Sequence, residues 1–524
     1  MSTNTSPACV VLHVLFRAML AWPLCAIISC SSNSTPGGDS AASPPPGSSM
    51  LPADDAGSAL DAGGDPISRD AATRAPGNRI LVSANPNNVL SAFVSFTLPA
   101  ASTARVVSSS DIDQLVTPAL MLAGNGSGQV AVLGLSASTT YSHFVLGTTN
   151  GTASLVSDSA SLSTAALPPE LAPLTFSVTN YKGTPQPGYY LVSGAGQDTF
   201  AVDGTGTIRW YRAFGQPTQE AKMQPDGTFT SYVGSSTGSQ LAAGKYIRYA
   251  PDGTQIAAYA AATPDATEPG MPAVYTDPHE LLITADPSGQ EHVHLLAYEQ
   301  RPASEDDSTP FAWHELLRQS TDGTVEFRWK SWSRFTLADQ LETDLGGDVD
   351  HTNAVAIDPA DDNYIVSFRN LDALVKIDSH TGDTIWQLGG KQNQFAIVGD
   401  TRGGFQAQHS VRVLANGDLL LYDNGVRYSP PESRAVEYKL DTTKMTATLV
   451  WEFHHSPPIY TQVVGSVERL QNGNTLVAFG LAGVVDEVDP QGDVMWEGRL
   501  RNAGNAKLAY RIRRLPSVYA YVSP

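Results

Sequence analysis

The chain has 524 residues, with 32 Lys plus Arg against 52 Asp plus Glu, for a formal net charge of −20. That length exceeds what one compact core serves, so at least two domains plus some non-globular sequence are expected. The charge excludes nucleic acid or an acidic membrane surface as the main partner, and an anionic substrate would need a local basic site built from Arg and His.

The only cysteines are Cys9, Cys25 and Cys30, all within the first thirty residues. The rest of the chain therefore has no disulfide, no Cys-ligated zinc and no thiol nucleophile. Arg17 is the only charge before an apolar stretch from Ala18 to Ile28, which ends in Ile27-Ile28-Ser29-Cys30. An aliphatic residue, a small residue and then Cys is the pattern of a bacterial lipobox. Residues 1–30 are thus expected to be a lipoprotein-type signal peptide with Cys30 as the lipidation site; an uncleaved anchor is the alternative. Either reading places the protein outside the cytoplasm, in the periplasm or at the cell surface.

Residues 31–76 run through Ser, Gly, Ala, Pro and Asp in low-complexity order, including Pro44-Pro45-Pro46. They cannot bury a core and are expected to be a disordered tether. From 77 to 167 the period is two: Ile80-Leu81-Val82, Ala92 to Phe96, Val130 to Leu133 and Tyr141 to Leu146. Such runs predict an Ig/fibronectin III-like β-sandwich, with Tyr141 at a corner where its hydroxyl ties back to nearby backbone. His143 is expected at the surface of a strand.

Residues 168–524 repeat one pattern: strand, Asn-Gly or Asp-Gly turn, strand, turn, then an aliphatic residue and an aromatic one. Six units end at Trp210, Tyr259, Trp329, Trp386, Trp451 and Trp496. The fold class predicted is all-β, a six-bladed β-propeller preceded by the sandwich, each blade burying a face only against its neighbours. Uneven spacing implies inserted loops. Lys507 to Ile512 is expected to close the blade that begins near Tyr189. A quinoprotein propeller is the competing reading of Thr381 to Trp386.

Four polar segments stand at the ends of apolar strands instead of in turns: Asp277-Pro278-His279-Glu280, Asp348 to Asn353, Ser367-Phe368-Arg369-Asn370 and Phe405 to His409. His279, His351 and His409 fall in successive units, so a propeller can converge them on its central channel. Three histidines also suit zinc, and Asp348 and Asp350 could bring in a cation. Arg369 opposes that reading, because a guanidinium repels a divalent ion and attracts a sulfate. His292, His294, His314, His380, His454 and His455 read as ordinary strand, turn or loop residues.

From His351 onward the motifs His-Thr-Asn (His351 to Asn353), Ser-Phe-Arg-Asn (Ser367 to Asn370), Ile-Trp-Gln-Leu-Gly-Gly (Ile385 to Gly390), Phe-Gln-Ala-Gln-His (Phe405 to His409), Tyr-Asp-Asn-Gly (Tyr422 to Gly425) and Asn-Gly-Asn-Thr (Asn472 to Thr475) together resemble the bacterial arylsulfate sulfotransferases. The resemblance implies transfer of a sulfuryl group from a phenolic sulfate ester to a phenol through a sulfohistidine, ping-pong, with no nucleotide donor, no cofactor and no metal. It assigns His409 as nucleophile and His351, Arg369 and His279 as catalytic groups around the sulfuryl oxygens. Asn353, Thr352 and Thr475 are the substrate-binding candidates, although Asn472 to Thr475 also reads as a plain hairpin turn. Partners implied are phenolic sulfates, phenols, a membrane through the lipid, and a second copy in a homodimer. The cysteine pair of familiar members is missing here. A binding or adhesion propeller, or a sulfate ester hydrolase or metallohydrolase, are the alternatives.

Overall fold

A computed structural model describes residues 73–74 and 80–519, except residues 100, 123, 150–151, 183–184, 235–243, 263–273, 305–306 and 344–346. The expected signal peptide with Cys30, and nearly all of the expected tether, lie outside the described residues. The described chain is all-β, with four three-residue 3-10 turns as its helical content. No described helix is long and apolar enough to cross a membrane.

Two sheets come first. Ile80–Ala84, Ser91–Thr97 and Ser127–Leu133 form one; Thr103–Ser109, Thr140–Thr149 and shorter strands form the other. Alternate residues of both, including Val94, Phe96, Val106, Val132 and Val145, fill one core, as period-two burial requires. The Tyr141 hydroxyl accepts a hydrogen bond from the Ser136 backbone N–H at 3.0 Å. His143 is not at the surface: it is fully buried, bonded through Nδ1 to Ser108 Oγ at 2.8 Å, and burial pulls its pKa down to about 4. Its strand is covered on both faces, which alternation within one strand does not reveal.

Six sheets follow, each built on four antiparallel strands that in five of them run in sequence order from first to fourth. Their opening strands are Thr218–Met223, Val274–Ala285, Thr352–Ile357, His409–Val413 and Ser466–Arg469, while the sixth sheet borrows the C-terminal Arg511–Leu515 to stand before Tyr189–Ser193. That closing strand pairs Leu515 with Tyr189 and Arg511 with Ser193, four residues later than expected. The delay comes from a tight return in which Lys507 and Ala509 donate backbone bonds to Leu500 and Gly480. Leu174–Asn180 adds an outer strand to the sheet of Ser466–Arg469, pairing with Val494–Asn502.

Every repeat aromatic sits on the fourth strand of its sheet, and several pack onto the next sheet. Trp210 stacks on Phe229 at 4.8 Å, Trp329 lies 5.7 Å from Phe368, and Trp496 stacks on Tyr190 at 4.0 Å. Each consecutive pair of sheets shares one apolar cluster, and the last sheet shares one with the first, so the packing is cyclic. Trp496 is wholly buried in the seam that closes the cycle and donates its indole N–H to Gly204 O at 3.2 Å. Trp496→Ala should therefore cost about 3–5 kcal/mol, read as a lower urea midpoint.

The opening strands face one another at the centre of the cycle. Glu280 is the clearest marker: it accepts from Arg511 at 2.7 Å and pairs with Lys222, Arg412 and Arg513, each from a different opening strand. Buried charges survive only when paired in this way.

Candidate functional site

His409 opens its strand, flanked by Ala407 and Ser410 at φ +49° and +59°. Its Nδ1 lies 2.7 Å from Asn424 Oδ1 and 3.1 Å from Ala407 O. The Asn424 amide nitrogen donates to Thr461 O and Val464 O, at 2.8 and 3.0 Å, which leaves its carbonyl oxygen facing the ring. Two acceptors on Nδ1 place the proton there, so Nε2 carries the lone pair. Val464 N–H points at that lone pair from 3.3 Å. Val464 itself has φ +57°, a costly conformation for a β-branched residue. Beside it, a Cβ on Gly465 would come within 2.4 Å of the Tyr422 ring, so this bend requires glycine.

Burial, with Arg369 and His351 nearby, holds the His409 imidazole well below its ordinary pKa of 6.5. The ring is therefore neutral and nucleophilic at neutral pH. The buried guanidinium of Arg369 follows the strand Tyr364–Phe368 in a 3-10 turn; its Nη1 donates to Asn370 Oδ1 at 2.7 Å and its Nη2 to Gln462 O at 3.1 Å. Its backbone N–H binds His351 O at 3.0 Å, which fixes the two residues side by side.

His351 immediately precedes Thr352–Ile357, at φ +44°, with Nδ1 2.6 Å from Asp348. His279 lies where its strand leaves register between Thr276 and Leu281, and that irregularity turns it toward His351. Asp277 accepts both the backbone N–H and Nδ1 of His279, at 2.9 and 2.7 Å. The two rings meet edge to face at 4.8 Å. Burial opposes ionisation of Asp277 and Asp348, but the neighbouring histidines hold both carboxyls below their usual range. Burial likewise lowers His351, Asp348 pulling the other way.

The structure thus brings His279, His351, Arg369 and His409 together. Asn353 joins them indirectly: its amide donates to Gln408 O at 2.8 Å and its backbone oxygen accepts from Arg511 at 3.1 Å, which steadies the residue before His409. Thr352 is buried against Asp350 at 3.2 Å. Thr475 does not join. It starts the second strand of the hairpin opposite Arg469, at the far end from Ser466 and Val467, whose neighbour is Ser410. The antiparallel register accounts for this placement, since it sends the start of a second strand to the opposite end from the start of the first.

Asn424, Val464 and His314 were not singled out by sequence reasoning. Asn424 lay inside the Tyr-Asp-Asn-Gly segment, so a signal existed; Val464 acts through its backbone and had none. His314 was read as an ordinary strand residue, yet it sits beside His351, ring centres 6.2 Å apart. Among the described residues, two clusters have the composition of a metal site, His314 with Asp348 and Asp350, and His455 with Asp486 and Glu497. In the first, His314 bonds to Asp350 at 2.6 Å and lies 3.7 Å from Asp348, while Asp348 accepts from the His351 backbone, the pattern of an ion-pair network.

Solved structures resemble the chain loosely. A protein of unknown function from Bacteroides caccae is 14% identical, covering 62% of this chain and 98% of its own, with a TM-score of 0.40. A catalytically inactive virginiamycin B lyase from Staphylococcus aureus is 12% identical over 61% of this chain and 87% of its own, with a TM-score of 0.31. No curated protein matches. Residues 328–511 match the family model described as Arylsulfotransferase (ASST). That stretch holds His351, Arg369, His409, Asn424 and Val464, with His279 lying before it, and it is this part of the chain that is similar to the arylsulfotransferase family.

Proposed function

We propose that the protein is an arylsulfate sulfotransferase that moves a sulfuryl group from a phenolic sulfate ester to a phenol through a sulfohistidine on His409. The observation that carries the reading is the fixed tautomer of His409, whose Nε2 carries the lone pair opposite the Val464 N–H in a ring close enough to feel the charges of Arg369 and His351. In the first step Nε2 gives up its contact with the Val464 N–H and attacks sulfur, the bond from sulfur to the aryl oxygen breaks, and the phenolate leaves with the electron pair and takes the Nε2 proton of His279 or His351, whose Nδ1–H stays on its aspartate. In the second step a phenol passes its proton back to that Nε2 and attacks the N-sulfuryl group, the sulfur–nitrogen bond breaks, and neutral His409 and the protonated histidine are restored. Arg369 and the two histidines serve the peripheral oxygens, where charge collects in a loose transition state.

The six cyclically packed sheets are read as the blades of a six-bladed propeller, residues 168–524, with the site at one end of its channel. Residues 77–167 are read as the fibronectin III-like sandwich, which the Tyr141 corner supports. Export as a lipoprotein through Cys30, a tether over residues 31–76 and a homodimer complete the proposal, the first on the Ile27 to Cys30 pattern.

The test is 4-nitrophenyl sulfate with and without an added phenol. Phenol-dependent release of nitrophenol supports transfer; release that ignores phenol makes water the acceptor, and release abolished by a chelator makes the protein a metallohydrolase. Inertness toward a range of donors would leave a binding propeller. Because burial and Arg369 disfavour the imidazolium, the acid limb of kcat/KM should lie below pH 6.5 and not at it. The same shift costs stability as pH falls past 6.5, where unfolded His409 takes a proton that the folded chain refuses.

A further inference from the structure

Three carboxylates converge on one histidine that the proposed mechanism does not use. His314, on the strand Asp307–Ser320, places Nδ1 2.6 Å from Asp350 Oδ1 and 3.7 Å from Asp348 Oδ1, and Nε2 3.4 Å from Asp277 Oδ2. Its backbone N–H also reaches Asp350, at 3.3 Å. The side chains of His314 and Asp277 are each 3% exposed and that of Asp350 is wholly buried. A neutral imidazole has one N–H and can donate to only one side. Carboxylates facing both ring nitrogens in so dry a place therefore require the imidazolium, since an unpaired buried carboxylate is costly. Burial opposes that charge, but Asp350 and Asp348 outweigh it and raise the His314 pKa well above the ordinary value.

Two of these carboxylates face a site histidine with their other oxygen or edge. Asp277 binds Nδ1 of His279 and Asp348 binds Nδ1 of His351. We infer that His314 is a positioning residue of the sulfuryl site: its imidazolium keeps Asp277 and Asp348 ionised and in place, so that each accepts Nδ1–H of its histidine and leaves Nε2 for the substrate. The inference rests on the sulfotransferase reading for what the two histidines bind, but not for how they are held. Without the His314 charge, Asp277, Asp348 and Asp350 repel one another, one takes up a proton, and a histidine in front of it loses the acceptor that holds its Nδ1–H.

The experiment uses the full chain with nitrogen-15 labelled histidine, the ring signals of His279, His314 and His351 being assigned by single substitutions. His314→Gln removes the charge, His314→Lys keeps it, and Asp350→Asn disturbs His314 without removing a side-chain bond of either site histidine. Wild-type protein should show both His314 nitrogens protonated and a proton on Nδ1 of His279 and of His351. His314→Gln should take those Nδ1 protons off their fixed positions and lower kcat/KM by roughly ten- to a hundredfold, as loss of the partner behind a working histidine does. His314→Lys should recover part of the loss. Asp350→Asn reports in the same way should His314→Gln not fold. Unchanged ring signals at His279 and His351 in a folded variant would overturn the inference, whatever the protein turns over. A wild type that transfers no sulfuryl group would sink the functional reading, while the ring signals still decide the role of His314.

Discussion

His409→Ala is expected to abolish phenol-dependent release of nitrophenol, with a fall in kcat of about four orders of magnitude or more, as when a covalent nucleophile is removed. His279 and His351 should not replace it, because each holds a carboxylate, Asp277 or Asp348, on Nδ1 and serves as a proton donor, whereas His409 faces the neutral amide of Asn424. The variant should fold. Asn424 keeps its bonds to Thr461 and Val464, and the core beneath the strand, built on Val411 and Leu421, is untouched. Donor binding should survive, since Arg369, His279 and His351 remain. The decisive companion measurement is mass spectrometry of wild-type protein quenched after donor alone: the peptide with His409 should gain one SO3 group, and in the variant no peptide should.

Arg369→Gln is expected to lower kcat/KM by about a hundred- to a thousandfold, the usual loss when one charged donor to a transition-state oxygen is removed. The guanidinium is fully buried and tied to Asn370 and Gln462, so its cost of orientation is met before substrate arrives. A second consequence separates an electrostatic role from a structural one. Arg369 is the principal cation depressing the His409 pKa, so its loss should move the acid limb of the pH profile upward toward 6.5. A rate loss with an unmoved acid limb would assign Arg369 to loop support through Gln462 only.

Much of this was legible in the chain. The six-unit repeat is a local pattern of turn glycines and one aromatic per unit, and each unit folded into one sheet with its aromatic on the fourth strand. The closing strand was legible as a run of strand type, but its register was not, because four residues of the Gly480 and Leu500 return are set by partners far along the chain. His351, Arg369 and His409 were legible because each belongs to a motif of several residues. His314 was not: alone, between Trp313 and Glu315, it looks like any polar strand residue, and its meaning comes from carboxylates at positions 277, 348 and 350. The same holds for His143, whose burial depends on what covers the second face of its sheet.

The sequence by itself determined the all-β class, the repeat number, the lack of cysteine beyond residue 30 and the candidate residues for an anion, since these follow from composition, period and local motifs. Only the tertiary structure decided that the last sheet packs on the first, that Nε2 of His409 carries the lone pair, that Thr475 stands apart and that His314 stands behind two site histidines. Those outcomes depend on register and on contacts between residues dozens to hundreds of positions apart, which local patterning does not encode.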